Sequence, residues 1–182
     1  GADVIASLGI KNIKIPSHET TNKKLIEFCS SKFDYIYFSA GASTEQDVIE
    51  ATDILKAGTA KFNLMHCVSS YPCADNNSNL GRINWLGTIH SSLGYSDHTQ
   101  STIVPALAVL NGASVIEKHF TIDKDLPGRD NKFALDPIEF KEMTENIKIA
   151  SMSMIDKGKG YQSIEEDTVM NYRGRWEPQD YI

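Results

Sequence analysis

Two histidines stand at the ends of apolar runs, each beside charged residues, where they could share one chemical task. His98 lies in "GYSDHT" and His119 lies in "EKHFT". If the two runs are neighbouring parallel strands, the imidazoles meet at one edge of the sheet. Imidazole suits a divalent first-row metal that keeps open positions for substrate oxygens, so the pair predicts a metal site. The alternative is a hydrogen-bonded structural role for each. His66 competes for the same metal-binding role, but its position inside its run favours burial.

Lys14 is the second candidate, because it alternates with Ile13 and Ile15 in a short apolar run. If the two isoleucines pack outward against helices, the lysine points to the other face of the sheet. A lysine enclosed there needs an anionic partner. That partner is either a carboxylate, such as Glu19 or Glu117, or a bound phosphate or carboxylate, and the sequence leaves both open.

Short β-rich runs alternate along the chain with longer helical runs. The predicted strands lie at 11–17, 34–41, 60–72, 92–98 and 113–122, and the predicted helices at 21–32, 43–58, 79–92, 99–112 and 136–158. Such alternation predicts a parallel sheet covered by helices, either doubly wound or closed as a barrel. Polar residues follow all five strands, and they converge better at a barrel mouth than along an open edge. We therefore predict an α/β fold of the TIM-barrel type.

Capping signals support two of the helices. Asp136 and Glu139 predict a capping box, with Pro137 at the first helical position, where a missing N–H costs nothing. Ser43 and Gln46 predict a second capping box at the start of the helix at 43–58.

Composition excludes several classes of protein. The 182 residues carry a net charge of -6, and no basic cluster is dense enough for a nucleic-acid surface. Three cysteines, Cys29, Cys67 and Cys73, fit neither a disulfide framework nor a zinc spacing. No run has the length of a signal peptide core or a membrane span. We therefore expect a cytoplasmic protein with no membrane or nucleic-acid partner.

Six motifs in register resemble the sialic acid synthase (N-acetylneuraminate synthase) family. They are "KIPSHETTN", "FSAGAST", "LMHCVSSYP", "GYSDHT", "VIEKHFT" and "PGRDNKFALDP", and the similarity extends to about Gly160. The resemblance implies a TIM-barrel enzyme that condenses phosphoenolpyruvate with an open-chain N-acetylated sugar. In this reaction C3 of phosphoenolpyruvate attacks the aldehyde, water adds at C2, and phosphate leaves by C–O cleavage.

The same resemblance implies roles for individual residues. His98 and His119 would hold Mn²⁺ or Mg²⁺, which polarises the sugar aldehyde. Glu19 and Lys14 are the catalytic candidates, Glu19 for proton handling near the carbonyl and Lys14 for electrostatic stabilisation. The residues implied to bind the phosphoenolpyruvate carboxylate and phosphate are Lys14, Ser17, Ser39, Ser69 and Ser96. The sugar side would be formed by Glu19, Tyr71 and Asp130.

Departures from the family pattern leave the acceptor open. Ser69 stands where the family often has Asn, and Arg129, Asn131 and Ala134 replace frequent residues on the sugar side. The acceptor is therefore N-acetylmannosamine or a deoxy-diacetamido sugar leading to legionaminic or pseudaminic acid. The tail at 161–182 does not resemble the family's continuation, and no antifreeze-like domain is indicated.

Residues 1–160 supply about five of the eight strand–helix units of a TIM barrel, which usually needs roughly 250 residues. We therefore expect a fragment of a longer synthase, inactive alone, or a homo-oligomer or other assembly whose chains close the sheet edges. Two other functions remain open. One is a non-catalytic sugar-phosphate-binding or assembly subunit. The other is a related phosphoenolpyruvate-condensing enzyme for arabinose 5-phosphate or erythrose 4-phosphate, although few basic residues are spare for a second phosphate.

Overall fold

Five parallel strands form one sheet in the computed structural model, which describes residues 1–175. In sequence order, and in the same spatial order, the strands are β1 (Asn12–Ile15), β2 (Tyr35–Ser39), β3 (Lys61–Cys67), β4 (Leu93–Asp97) and β5 (Val115–Lys118). The helices are α1 (Ala2–Ser7), α2 (Lys23–Lys32), α3 (Glu45–Ala57), α4 (Arg82–Ile89), α5 (Val104–Leu110), α6 (Pro137–Ser153) and α7 (Glu166–Asn171). Strand and helix alternate from β1 to α6, as predicted.

The hydrophobic core lies between the outer face of the sheet and the helices. Ile15 and Phe38 project from their strands into this layer, where they meet Ile26 of α2 and Leu55 of α3. All four side chains are almost fully buried. Alternate strand residues therefore face the helices, and the intervening ones face the opposite side of the sheet.

The sheet is curled into part of a barrel. Lys14 on β1 and Glu117 on β5 form an ion pair of 2.9 Å between Nζ and Oε2. In a flat sheet, strands four positions apart are separated by about 19 Å, which these side chains could not span. The concave face is therefore the interior of an incomplete TIM barrel, as predicted.

All five described strands are shorter than predicted, β3 and β5 by the most. β3 ends at Cys67, so that residues 68–72 form a loop, and β5 ends at Lys118. His98 and His119 consequently lie just beyond their strands. The carboxyl end of each strand opens directly into a loop that carries polar side chains.

One capping prediction is confirmed and one is wrong. Asp136 and Glu139 form the predicted capping box of α6, with Pro137 in its first turn. In α3 the box is made by Thr44 and Asp47, not by Ser43 and Gln46. The Ser43 hydroxyl instead donates to the carbonyl oxygen of Gly41 (2.8 Å), within the loop that precedes the helix.

The tail is partly described. A 3₁₀ turn at Ser163–Glu165 leads into α7, and its residues are nearly all exposed. The remainder of the predicted tail, 176–182, lies outside the described residues. Within residues 1–175, no helix combines the length and apolarity needed to cross a bilayer.

Candidate active site

A cavity of about 650 Å³ opens at the carboxyl ends of the strands, inside the curl of the sheet. Every strand contributes to it, either through its last residues or through the loop that follows. Most of the residues predicted from the sequence line this cavity: Lys14, Ser17, Ser39, Tyr71, Ser96, His98, His119 and Asp130. The fold therefore brings these polar side chains together at the mouth of the barrel.

Two predicted residues lie beside the cavity without lining it. Ser69 is in the layer next to it, where its hydroxyl is 2.8 Å from the hydroxyl of Ser17. The Glu19 carboxylate is turned aside, because its Oε2 accepts a hydrogen bond from the side-chain amide of Asn22 (2.7 Å). Its other oxygen is 3.7 Å from Nε2 of His18, which is exposed.

His98 and His119 face each other across the mouth, with ring centroids 5.4 Å apart. Nδ1 of His98 lies 2.8 Å from the carbonyl oxygen of Val68. A carbonyl accepts only, so Nδ1 carries the proton and Nε2 keeps its lone pair. Burial lowers the pKa of His98, and the neighbouring His119 adds to this effect. The ring is therefore neutral near pH 7, the state that binds a metal.

This pair fits a metal that takes few protein ligands. Nδ1 of His98 already has the backbone partner that commonly orients a ligating histidine. On the other ring, Nδ1 of His119 is 3.8 Å from the carboxylate of Asp130. In the described part of the chain no group of three or more histidine, cysteine or acidic residues is arranged to hold a metal. An ion held here by two imidazoles would leave most of its positions to water or substrate.

Aromatic rings form one wall of the mouth. The Tyr71 ring lies 4.1 Å from that of His98, and the Phe133 ring lies 5.1 Å from that of His119, centroid to centroid. Phe133 is buried, whereas Tyr71 is half exposed. These rings limit how far the two imidazoles can move.

Lys14 points into the cavity, as its alternation with the isoleucines predicted, and its partner is Glu117 rather than Glu19. Burial raises the pKa of Glu117, but hydrogen bonds from Ser96 and Lys14 outweigh this effect and hold it below its ordinary value. The carboxylate is therefore ionised near neutral pH. The pair is a balanced charge in the cavity that an entering anion would have to disturb.

Ser39 presents an uncommitted donor to the same cavity. Its hydroxyl is buried, with 1% of the residue exposed, and has no hydrogen-bond partner among the described residues. An unpaired buried hydroxyl is costly, and a ligand oxygen at this point would satisfy it.

Several lining residues were not assigned a role from the sequence. Cys67 contacts Ser17 and Nδ1 of His98 through its sulfur at 3.9 and 3.7 Å, and burial raises the pKa of its thiol. Phe133 comes from the long loop between β5 and α6, as does Arg129. The position of Cys67 directly after His66 could have signalled a lining residue through strand alternation. The loop residues carry no such periodic signal.

Comparison with known proteins decides the family. The model of the NeuB family matches residues 1–159. The chain belongs to the NeuB family. It is 42% identical over 154 residues to an N,N'-diacetyllegionaminic acid synthase of Legionella pneumophila. The aligned residues cover 81% of this chain and 43% of that protein.

Other relatives extend this assignment. An N-acetylneuraminate-9-phosphate synthase of Drosophila melanogaster is 34% identical to this chain. The alignment covers 84% of this chain and 42% of the Drosophila protein. A sialic acid synthetase of Leptospira borgpetersenii, solved in complex with citrate, superposes with a TM-score of 0.84 at 31% identity. That superposition covers 93% of this chain and 60% of the other. The chain spans less than half the length of the two curated relatives.

Proposed function

We propose that this chain forms part of a nonulosonic acid synthase, which condenses phosphoenolpyruvate with an open-chain N-acetylated sugar and releases phosphate. The observation that carries the proposal is the convergence of Lys14, Ser39, His98 and His119 on one cavity in a member of the NeuB family. Relatives named as synthases of legionaminic and neuraminic acids support this reaction class.

Phosphoenolpyruvate is expected to bind at the floor of the cavity. Lys14 supplies a positive charge and Ser39 an unpaired hydroxyl, while Ser17, Ser69 and Ser96 offer further hydroxyls. Charge-assisted hydrogen bonds from such groups suit carboxylate and phosphate oxygens. When the anion binds, Lys14 exchanges part of its contact with Glu117 for the ligand.

The acceptor sugar is expected to bind nearer the rim, against Tyr71 and Asp130. His98 and His119 would hold Mn²⁺ or Mg²⁺, and a bound divalent ion supplies Lewis acidity at the aldehyde oxygen. The proposal requires the residues around the cavity to hold that oxygen within reach of C3 of phosphoenolpyruvate. Glu19 would need to release Asn22 before it could handle a proton.

The test is incubation with phosphoenolpyruvate, Mn²⁺ and a panel containing N-acetylmannosamine and diacetamido sugars, with phosphate release and product mass as readouts. A product whose mass equals the acceptor plus pyruvate supports the proposal and identifies the acceptor. Calorimetric binding of both ligands with no product under any condition, including addition of the remaining barrel units, would instead identify a non-catalytic binding subunit.

A further inference from the structure

Behind the two histidines, on the opposite face of the sheet, lies a fully buried ion pair. Lys118 Nζ is 2.5 Å from Oδ2 of Asp97, and the two side chains are 2% and 0% exposed. Strand alternation turns these side chains away from the face that carries Ser96 and Glu117. Both residues line the cavity, but their charged groups are buried and bonded to each other and to the loop after β4, and the proposed reaction gives them no role.

The ion pair stands at the last rung of the ladder between β4 and β5. Backbone pairing runs from Gly94 opposite Val115 to Asp97 opposite Lys118, and it ends there. His98 and His119 are the residues that directly follow β4 and β5. No backbone rung couples the two histidines directly, so their separation depends on what holds the strand ends together.

Asp97 fixes the peptide that carries His98. Its Oδ1 accepts from the backbone N–H of Thr99 (2.9 Å), which closes a turn around His98, and from the hydroxyl of Tyr95 (2.9 Å). Its Oδ2 accepts from the Thr99 hydroxyl (3.0 Å) as well as from Lys118. Such a side-chain turn restricts the backbone of the residue it encloses.

Lys118 connects this turn to β5. Besides Asp97, its ammonium donates to the carbonyl oxygen of Thr99 and lies 3.5 Å from that of Ser101. These acceptors belong to the loop that follows His98. One side chain from β5 is therefore bonded to both sides of the turn that presents the histidine of β4.

We infer that Asp97 and Lys118 are positioning residues, which set the distance and orientation of His98 and His119 for a shared divalent ion. The role in metal binding rests on the proposed metal centre. The role in fixing the orientation of His98 does not depend on a metal. Removal of partners that orient metal ligands commonly lowers metal affinity by about 10 to 100-fold.

The experiment compares the whole chain with the double variant Asp97→Asn/Lys118→Met. The double change avoids leaving one buried charge without its partner, which alone is strongly destabilising. Calorimetry with Mn²⁺ is expected to show at least about a 10-fold loss of affinity, with helix content by circular dichroism unchanged. Long-range ¹H–¹⁵N NMR of the imidazoles is expected to show that His98 no longer holds a single Nδ1–H tautomer.

The matched control is Lys23→Met/Glu50→Gln, which removes an exposed ion pair between α2 and α3. It is expected to change neither readout. A folded Asp97→Asn/Lys118→Met variant with unchanged Mn²⁺ affinity and an unchanged His98 tautomer would overturn the inference. If the parent chain binds no Mn²⁺, the proposed metal centre fails, and the tautomer measurement alone decides whether the pair positions His98.

A third variant covers the case in which the double variant does not fold. Thr99→Val keeps both members of the ion pair and removes a hydroxyl that donates to Asp97, lies 3.4 Å from Nζ of Lys118 and accepts from the backbone N–H of Ser101. A smaller loss of Mn²⁺ affinity with a mixed His98 tautomer would support positioning. Parent-like behaviour of Thr99→Val beside an unfolded double variant would show that the pair serves folding only.

Discussion

At the scale of single residues, the neutral, oriented imidazole of His98 is the feature on which metal binding most depends. Replacing His98 or His119 by Ala is expected to lower Mn²⁺ affinity by about 10-fold or more, since loss of a ligand typically exceeds loss of a partner that orients it. Calorimetry measures this. His18→Ala removes an exposed imidazole outside the cavity and is the matched control.

The pH dependence of Mn²⁺ binding follows from the same ring. Burial lowers the pKa of His98 from 6.5, and protonation competes with the metal for Nε2. Through His98, affinity is therefore expected to be lost only as pH falls below 6.5.

Equal affinity for Mn²⁺ in the His98→Ala, His119→Ala and parent chains would contradict the shared site.

Substitution of Lys14 and of Glu117 tests whether the two residues form a ligand site or a structural ion pair, because phosphoenolpyruvate binding changes differently in the two cases. Lys14→Ala is expected to weaken phosphoenolpyruvate binding, since a charge-assisted contact contributes about 1.5–3 kcal/mol. Glu117→Gln removes the competing carboxylate and is expected to strengthen it. Calorimetry with phosphoenolpyruvate and, separately, with sugar checks both signs. Parallel losses for both ligands in both variants would indicate a purely structural pair.

The sequence predicted the direction of Lys14 because strand alternation is a local property that the isoleucines on either side report. It did not predict which carboxylate would meet the lysine. Glu117 is four strands away, and only the curl of the sheet brings it near. Glu19 is close in sequence, but a local hydrogen bond from Asn22 turns it away. The partner of Lys14 is therefore determined by the curvature of the sheet and by the hydrogen bond between Asn22 and Glu19.

At the scale of secondary-structure elements, Gly94 in β4 lies at a crowded point of the sheet. A Cβ at this position would overlap Oδ1 of Asn63, lie 2.9 Å from Cγ of Met65 and lie 3.0 Å from the carbonyl oxygen of Val115. Gly94→Ala is expected to destabilise the fold by about 1–3 kcal/mol, the usual effect of overpacking. Chemical denaturation measures the free energy of unfolding.

Gly87 in α4 provides the matched glycine. A Cβ there would meet only one atom of Leu93, at an ordinary 3.4 Å, so that Gly87→Ala is expected to stabilise the helix by about 0.5–1 kcal/mol. If both substitutions changed stability in the same direction and by the same amount, crowding at β4 would not be the cause.

Helix and strand order could be predicted because periodicity and caps are local signals, but helix starts were less secure. Thr44 and Ser43 are both good caps, and the sequence alone does not say which hydroxyl the preceding loop will use. The turn at Gly41 takes Ser43, so the helix begins one residue later. The loop between β5 and α6 has no period to read, and this is why Phe133 was missed.

At the scale of the whole molecule, the described sheet has two edges. β1 pairs with β2 and β5 pairs with β4, and among the described residues neither has a second partner. Large apolar side chains are exposed on the flanking helices, among them Leu8 beyond α1 and Ile149 on α6. Open strand edges with apolar surroundings normally become covered by another segment or chain.

The chain by itself is therefore expected not to catalyse condensation. A complete (β/α)₈ barrel surrounds its mouth with side chains from eight strands, whereas five strands supply the cavity described above. The side open between β1 and β5 admits water, which weakens every charge interaction on the cavity floor. Phosphate release from phosphoenolpyruvate and an N-acetylated sugar should stay at background, and light scattering should show self-association through the open edges. A monodisperse monomer of the 182 residues with condensation activity would contradict this, and would mean that five units exclude water well enough for the reaction.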